Sequence, residues 1–157
     1  MSYRAALLLA SCALLHAAGD SALDRATLRG LPAVNIVVDA VDPAVEHEGV
    51  TRDSLRARLD ERLRGANIPI DDSRPEFVAV RLTAVRNTRG PFAVSITMSF
   101  YQPVELVRDP KIRTATQTWE VESVVLAEPK VLEQACQDTI DDLAARFVAA
   151  YRSVNSK

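Results

Sequence analysis

Beyond residue 19 the chain holds one histidine, His47, and one cysteine, Cys136, and these two residues bound its chemistry. Attack by a serine or cysteine nucleophile generally needs a neighbouring base, most often histidine. His47 lies in "AVEHEGV", where Glu46, His47 and Glu48 are consecutive, so their side chains diverge instead of converging on one ion. The sequence has no G-x-S-x-G, no glycine-rich phosphate loop and no histidine pair at metal-ligand spacing. Cys136 falls on an apolar stripe near the C-terminus, which predicts a core thiol and not a reactive one. Asp71 and Asp72 are neighbours in a turn and read as solvated. The residue types therefore predict no catalytic group, no metal site and no cofactor.

The first nineteen residues read as an address. Arg4 supplies the positive start, residues 5–18 are apolar or small apart from Ser11 and His16, and Ala17-Ala18-Gly19 offers a cleavage site before Asp20. The run is too short to span a bilayer, which takes about 20 apolar residues, and no longer one follows. Leu9-Ala10-Ser11-Cys12 spells a lipobox, yet the apolar stretch "ALLHAAG" follows it where a lipidated cysteine leaves a polar tether. The reading favours export without a lipid anchor at Cys12, to the periplasm, the cell envelope or the medium. Removal of Arg4 leaves 18 basic and 21 acidic residues, a net charge of −3, which argues against a nucleic-acid partner. With Cys136 alone after processing, no internal disulfide is available and the core must hold the fold.

The elements follow from hydrophobic period. Residues 20–32 read as a lead-in ended by Gly30 and Pro32, and residues 33–157 as one domain. "AVNIVVDAV" (33–41) alternates as a strand, and "DPAVEHEG" reads as a loop. Thr51 is a plausible N-cap for a helix whose Leu55, Leu59, Leu63 and Ala66 form one stripe, with Asn67 as its stop. Its arginines at 52, 56, 58, 62 and 64 are interleaved with Asp53, Asp60 and Glu61, a solvated face laced with weak ion pairs. Strands are expected at 76–86, 92–108 and 112–127, with Asp109-Pro110 as the last turn. In the final strand Ala115, Trp119, Val121 and Val125 are assigned inward, against Thr114, Thr116, Thr118, Glu120 and Glu122. Pro129 suits the first turn of a long helix whose stripe runs from Leu132 through Cys136, Ile140, Leu143, Phe147 and Tyr151 to Val154. The order β-α-β-β-β-α predicts an α+β two-layer sandwich: a four-stranded mixed sheet with two helices on one face.

That architecture leaves the other face of the sheet free. Its expected members, Thr97, Ser99, Tyr101, Thr114, Thr116, Thr118 and Glu120, form the candidate partner-binding face. The outer strand of the hairpin 92–127 could accept a further strand. The leading functional expectation is a non-catalytic exported module that binds an envelope protein. The alternative is a carrier of a small apolar ligand in a cavity lined by Met98, Phe100, Trp119 and Phe147, with an enzyme as the last choice.

The stretches "LRGLPAVNIVVDAV", "LRARLDERLRGANIPI", "QPVELVRDP", "TQTWEVESV" and "FVAAYRSVN" resemble a family of small secreted bacterial proteins of unassigned function. The element order is similar to periplasmic two-layer domains such as the N-terminal domain of the Tol translocation protein and the lipopolysaccharide-assembly lipoprotein. The family resemblance implies a fold and a location and carries over no catalytic motif, while the periplasmic two-layer domains, similar in topology alone, act by docking to other envelope proteins.

Overall fold

The structure is a computed structural model, and residues 19–86, 88 and 90–155 are described. Residues 1–18, which include Cys12 and all but the last residue of the expected signal segment, lie outside the described residues. The chain forms an α+β two-layer sandwich. Its elements are α1 (Ala22–Ala26), β1 (Asn35–Val38), α2 (Pro43–Glu46), α3 (Arg52–Gly65), β2 (Phe77–Arg86), β3 (Phe92–Leu106), β4 (Asp109–Ala127) and α4 (Leu132–Asn155), with a 3-10 turn at Pro129–Val131 before α4. The sheet order is β1-β2-β3-β4, with β1 parallel to β2 and the remaining pairs antiparallel. Among the described residues no helix is long and apolar enough to cross a membrane.

Local chemistry sets the helix ends. Thr51 and Ser54 exchange side chain–backbone hydrogen bonds in a capping box that opens α3, and Asn67, at φ 63°, takes the left-handed stop. Two short helices arise in segments read as lead-in and loop. Ser21 and Asp24 form a second capping box on α1, while Asp42 accepts the Ala44 N–H ahead of Pro43 to start α2.

Both long helices lie on one face. Leu55, Leu59 and Leu63 of α3 and Cys136, Ile140, Leu143 and Phe147 of α4 are fully buried against Val78, Val80, Val94, Ile96, Met98, Phe100, Trp119 and Val121. Phe147 sits between Trp119 and Phe100, with ring centroids at 5.2 and 6.2 Å. The arginines of α3 do more than lace a surface: Asp141 of α4 accepts from Arg58 Nε (2.7 Å) and Nη2 (2.6 Å) and from Arg62 Nε (2.6 Å), joining the helices. Arg62 holds the Asp141 carboxyl below the usual carboxylate range against the upward push of burial, and Arg58 adds to it.

Residues 19–31 pack on this frame. Leu28 and Leu31 are buried, and their carbonyls accept from Asn155 Nδ2 and Tyr151 Oη, both at 2.9 Å. Asp20 accepts the Trp119 Nε1–H (2.7 Å) and takes both Arg25 Nε and Nη2 at 2.7 Å. The same segment covers part of the β4 edge, where Gly19 (φ 100°) offers its carbonyl to the Glu120 N–H at 2.9 Å. A Cβ on Gly19 would meet the Glu120 carbonyl oxygen at 2.9 Å. Farther along this edge the Glu122 carbonyl accepts from Arg146 Nη1 (3.2 Å). The opposite edge is covered at Val34 and Ile36, because residues 69–71 bond Val34 and Arg56 donates to the Ile36 carbonyl.

Two details differ from the sequence reading. The hairpin turns at Val107-Arg108, and Asp109 already pairs with Leu106. A bulge between Phe100 and Tyr101 leaves Thr118 as an extra residue, since Phe100 faces Trp119 but Tyr101 faces Gln117. A one-residue slip reverses the phase of everything beyond it. Ala115 therefore does not share the inward phase of Trp119.

Candidate interaction face

Opposite the helices the sheet presents consecutive cross-strand rows. One runs Val37, Ala79, Ser99, Glu120, and the next Arg81, Thr97, Glu122. Toward the β2–β3 turn come Thr83, Ser95, Val124 and then Val85, Ala93, Leu126. Toward the hairpin tip lie Phe77, Tyr101 and Gln117. Alternation along the strands dictates this face, because the residues between these members are the core positions.

Four of the seven expected residues meet here: Thr97, Ser99, Tyr101 and Glu120. Ser99 donates to Glu120 Oε2 at 2.8 Å, and Tyr101 stacks on Phe77 with ring centroids 5.1 Å apart and planes 8° apart. The Tyr101 hydroxyl donates to Gln117 Oε1 (3.3 Å), confirming that Gln117 shares this face. Thr114 and Thr116 do not join the group. They pair with Val104 and Gln102, on the reversed phase beyond the bulge. Thr118, the bulged residue, turns to the lead-in, where its Oγ1 accepts from Gln102 Nε2 (2.9 Å) and shares a 3.1 Å hydrogen bond with Thr27 Oγ1.

The face also holds residues outside the seven expected ones, among them Glu122, which the alternation already turns outward. Asp39 and Arg81 form an ion pair at 2.8 Å, and Ser95 donates to Glu122. Its turn-proximal end is apolar and open, with Val85, Val124 and Leu126 exposed at 67%, 70% and 71%. Period-two reading of 76–86 would have found Phe77, Arg81 and Val85, since they fall between the inward residues. No polarity signal marks Val124 and Leu126 as outward.

The chemistry-bearing residues stand elsewhere. His47 caps the C-terminus of α2 and is exposed, with Glu48 turned to Arg86 at 3.7 Å. Cys136 is fully buried, and that burial pushes its thiol up to about 11. Asp72 pairs with Arg56 at 2.8 Å, and Asp71 accepts from Ser73.

No protein-family model matches the chain, and no curated protein sequence matches it. Several solved structures are similar to it, among them these three. The PelC dodecamer from Paraburkholderia phytofirmans is 11% identical over 73% of this chain and 85% of that one, with a TM-score of 0.43. A minor lipoprotein from Acinetobacter baumannii is 13% identical over 78% and 95%, with a TM-score of 0.33. Rare lipoprotein B from Shewanella oneidensis is 15% identical over 76% and 94%, with a TM-score of 0.36.

Proposed function

We propose that this chain is a non-catalytic module of the bacterial cell envelope that binds a protein partner through the open face of its sheet. The observation carrying this reading is the asymmetry of the two faces. One is sealed by α3 and α4, while the other offers stacked aromatics, two serine-bonded carboxylates and three exposed apolar side chains in adjoining rows. An exposed apolar patch at one end of a polar face is the kind of surface that marks a protein contact. Export rests on the N-terminal signal pattern, with cleavage after Gly19.

The carrier reading receives no comparable support. Met98, Phe100, Trp119 and Phe147 are at most 1% exposed, and three of them fill the space between sheet and α4 with ring–ring contacts.

A binding comparison tests the proposal. Thr97→Arg combined with Glu122→Arg, two cross-strand neighbours whose side chains are not buried, replaces the middle of the face without touching the core. It should abolish partner capture from envelope extract while leaving the thermal unfolding midpoint within a few degrees. Equal capture by the wild type and this variant would refute the assignment of the face.

A further inference from the structure

We infer that the occupant of the open face is a second copy of this chain, seated by its hairpin arm. This rests on the reading of that face as a binding surface and names what binds it. β2 stops pairing with β3 at Tyr101, so residues 102–117 project as a two-stranded arm with no third strand beside them. The arm ends in an apolar and basic tip. Val107 is fully exposed and Ile112 is 44% exposed, while Arg108 and Lys111 have no ion-pair partner among the described residues and outnumber Asp109, whose carboxylate accepts the Lys111 backbone N–H at 3.1 Å, so the tip keeps a net positive charge. Of the arm's cations only Arg113 is paired, to Glu105 at 2.8 Å.

The far end of the face is the complement: apolar and acidic. Val85, Val124 and Leu126 are exposed there, and the neighbouring Glu122 and Glu120 are held by Ser95 and Ser99 hydroxyls with no ion pair among the described residues. Arg81, on the same face, pairs with Asp39 at 2.8 Å and is also attracted by Glu120, so the acidic excess of the patch rests on Glu122. Tip and patch thus each carry exposed apolar side chains beside uncompensated charge of opposite sign, which is the pattern that selects a partner and fixes its orientation.

The two surfaces cannot meet within one molecule. They lie at opposite ends of the same pair of strands, about 40 Å apart at the rise of an extended chain. The contact must therefore be head to tail between copies, and repetition of such a contact closes a ring or extends a filament.

Sedimentation velocity of the exported protein tests this. At low salt the wild type should run at two or more times the mass of a single chain, and raising the salt should shift it toward monomer. Arg108→Glu with Lys111→Glu, on the arm, and Glu122→Lys, on the face, should each be monomeric with unchanged circular dichroism. Mixing the two variants should restore assembly, because each supplies the surface that the other lacks. A wild type that stays monomeric at low salt overturns the proposal, as does assembly that survives the arm variant. If the protein is monomeric yet its open face still captures a different protein, this inference fails and the functional reading stands. If that face captures nothing, both fail.

Discussion

Replacing Asp20 by alanine should destabilise the protein by about 2–3 kcal/mol, although the residue lies outside every strand and long helix. Its carboxylate is the acceptor for Trp119 Nε1–H, and Trp119 is only 1% exposed. A buried donor left without a partner costs about 1–3 kcal/mol. The bidentate pair with Arg25 adds about 0–1 kcal/mol, because the Arg25 side chain is 36% exposed and the pair is screened. Urea denaturation of a double-mutant cycle isolates the first contribution. Trp119→Phe removes the donor, so Asp20→Ala made in that background should cost about 1 kcal/mol or less, a coupling of about 1–2 kcal/mol. Proton linkage gives a second readout. Burial pushes the Asp20 carboxyl up, but hydrogen bonds from Arg25 and Trp119 together outweigh it and hold the carboxyl below its ordinary value. With the folded value depressed, the stabilisation is fully present above the unfolded value of about 3.9 and is lost as pH falls through the folded value. The gap between wild type and Asp20→Ala should be constant near neutrality and should narrow as pH falls below about 4, the part owed to the carboxylate charge being lost while the neutral carboxyl still accepts the Trp119 N–H. A cost under about 0.5 kcal/mol, or one unchanged by Trp119→Phe, would refute the clamp.

Other expectations follow from the packing. Phe147→Ala should cost about 3–5 kcal/mol by urea denaturation. Thr116→Ala, on the exposed arm, should cost under about 0.5 kcal/mol. Cys136, buried and with its thiol raised to about 11, should not react with a thiol reagent at pH 8 until the protein is unfolded. Asp141→Asn should lower stability near neutrality and less so at high salt, with the difference from wild type vanishing as pH falls below about 4, because Arg62 and Arg58 depress the carboxyl in the folded state.

The large elements were legible because their burial is one-sided. The leucine stripe of α3 and the stripe from Leu132 to Val154 state their period openly, and Trp119 and Val121, assigned inward from the sequence, are buried on β4. What escaped was local. Residues 20–32 read as a lead-in, yet Ser21 and Asp24 carry a capping-box spacing, and Leu28 and Leu31 are apolar enough to require cover. The bulge at Thr118 was hidden for a physical reason. In "TATQT" every residue is small or polar, so neither phase is favoured by burial and nothing marks where the alternation slips. That slip alone removed Thr114 and Thr116 from the candidate face.

We propose the sheet face away from the helices as the recognition surface. The most direct measurement places a photo-reactive amino acid at Thr97 on that face and, separately, at Ala57 on the exposed side of α3, in the protein exported by living cells. Irradiation should give a discrete cross-linked species from position 97 and none from position 57, with mass spectrometry identifying the attached chain. Cross-links from position 57 alone, or equal labelling from both, would contradict the account.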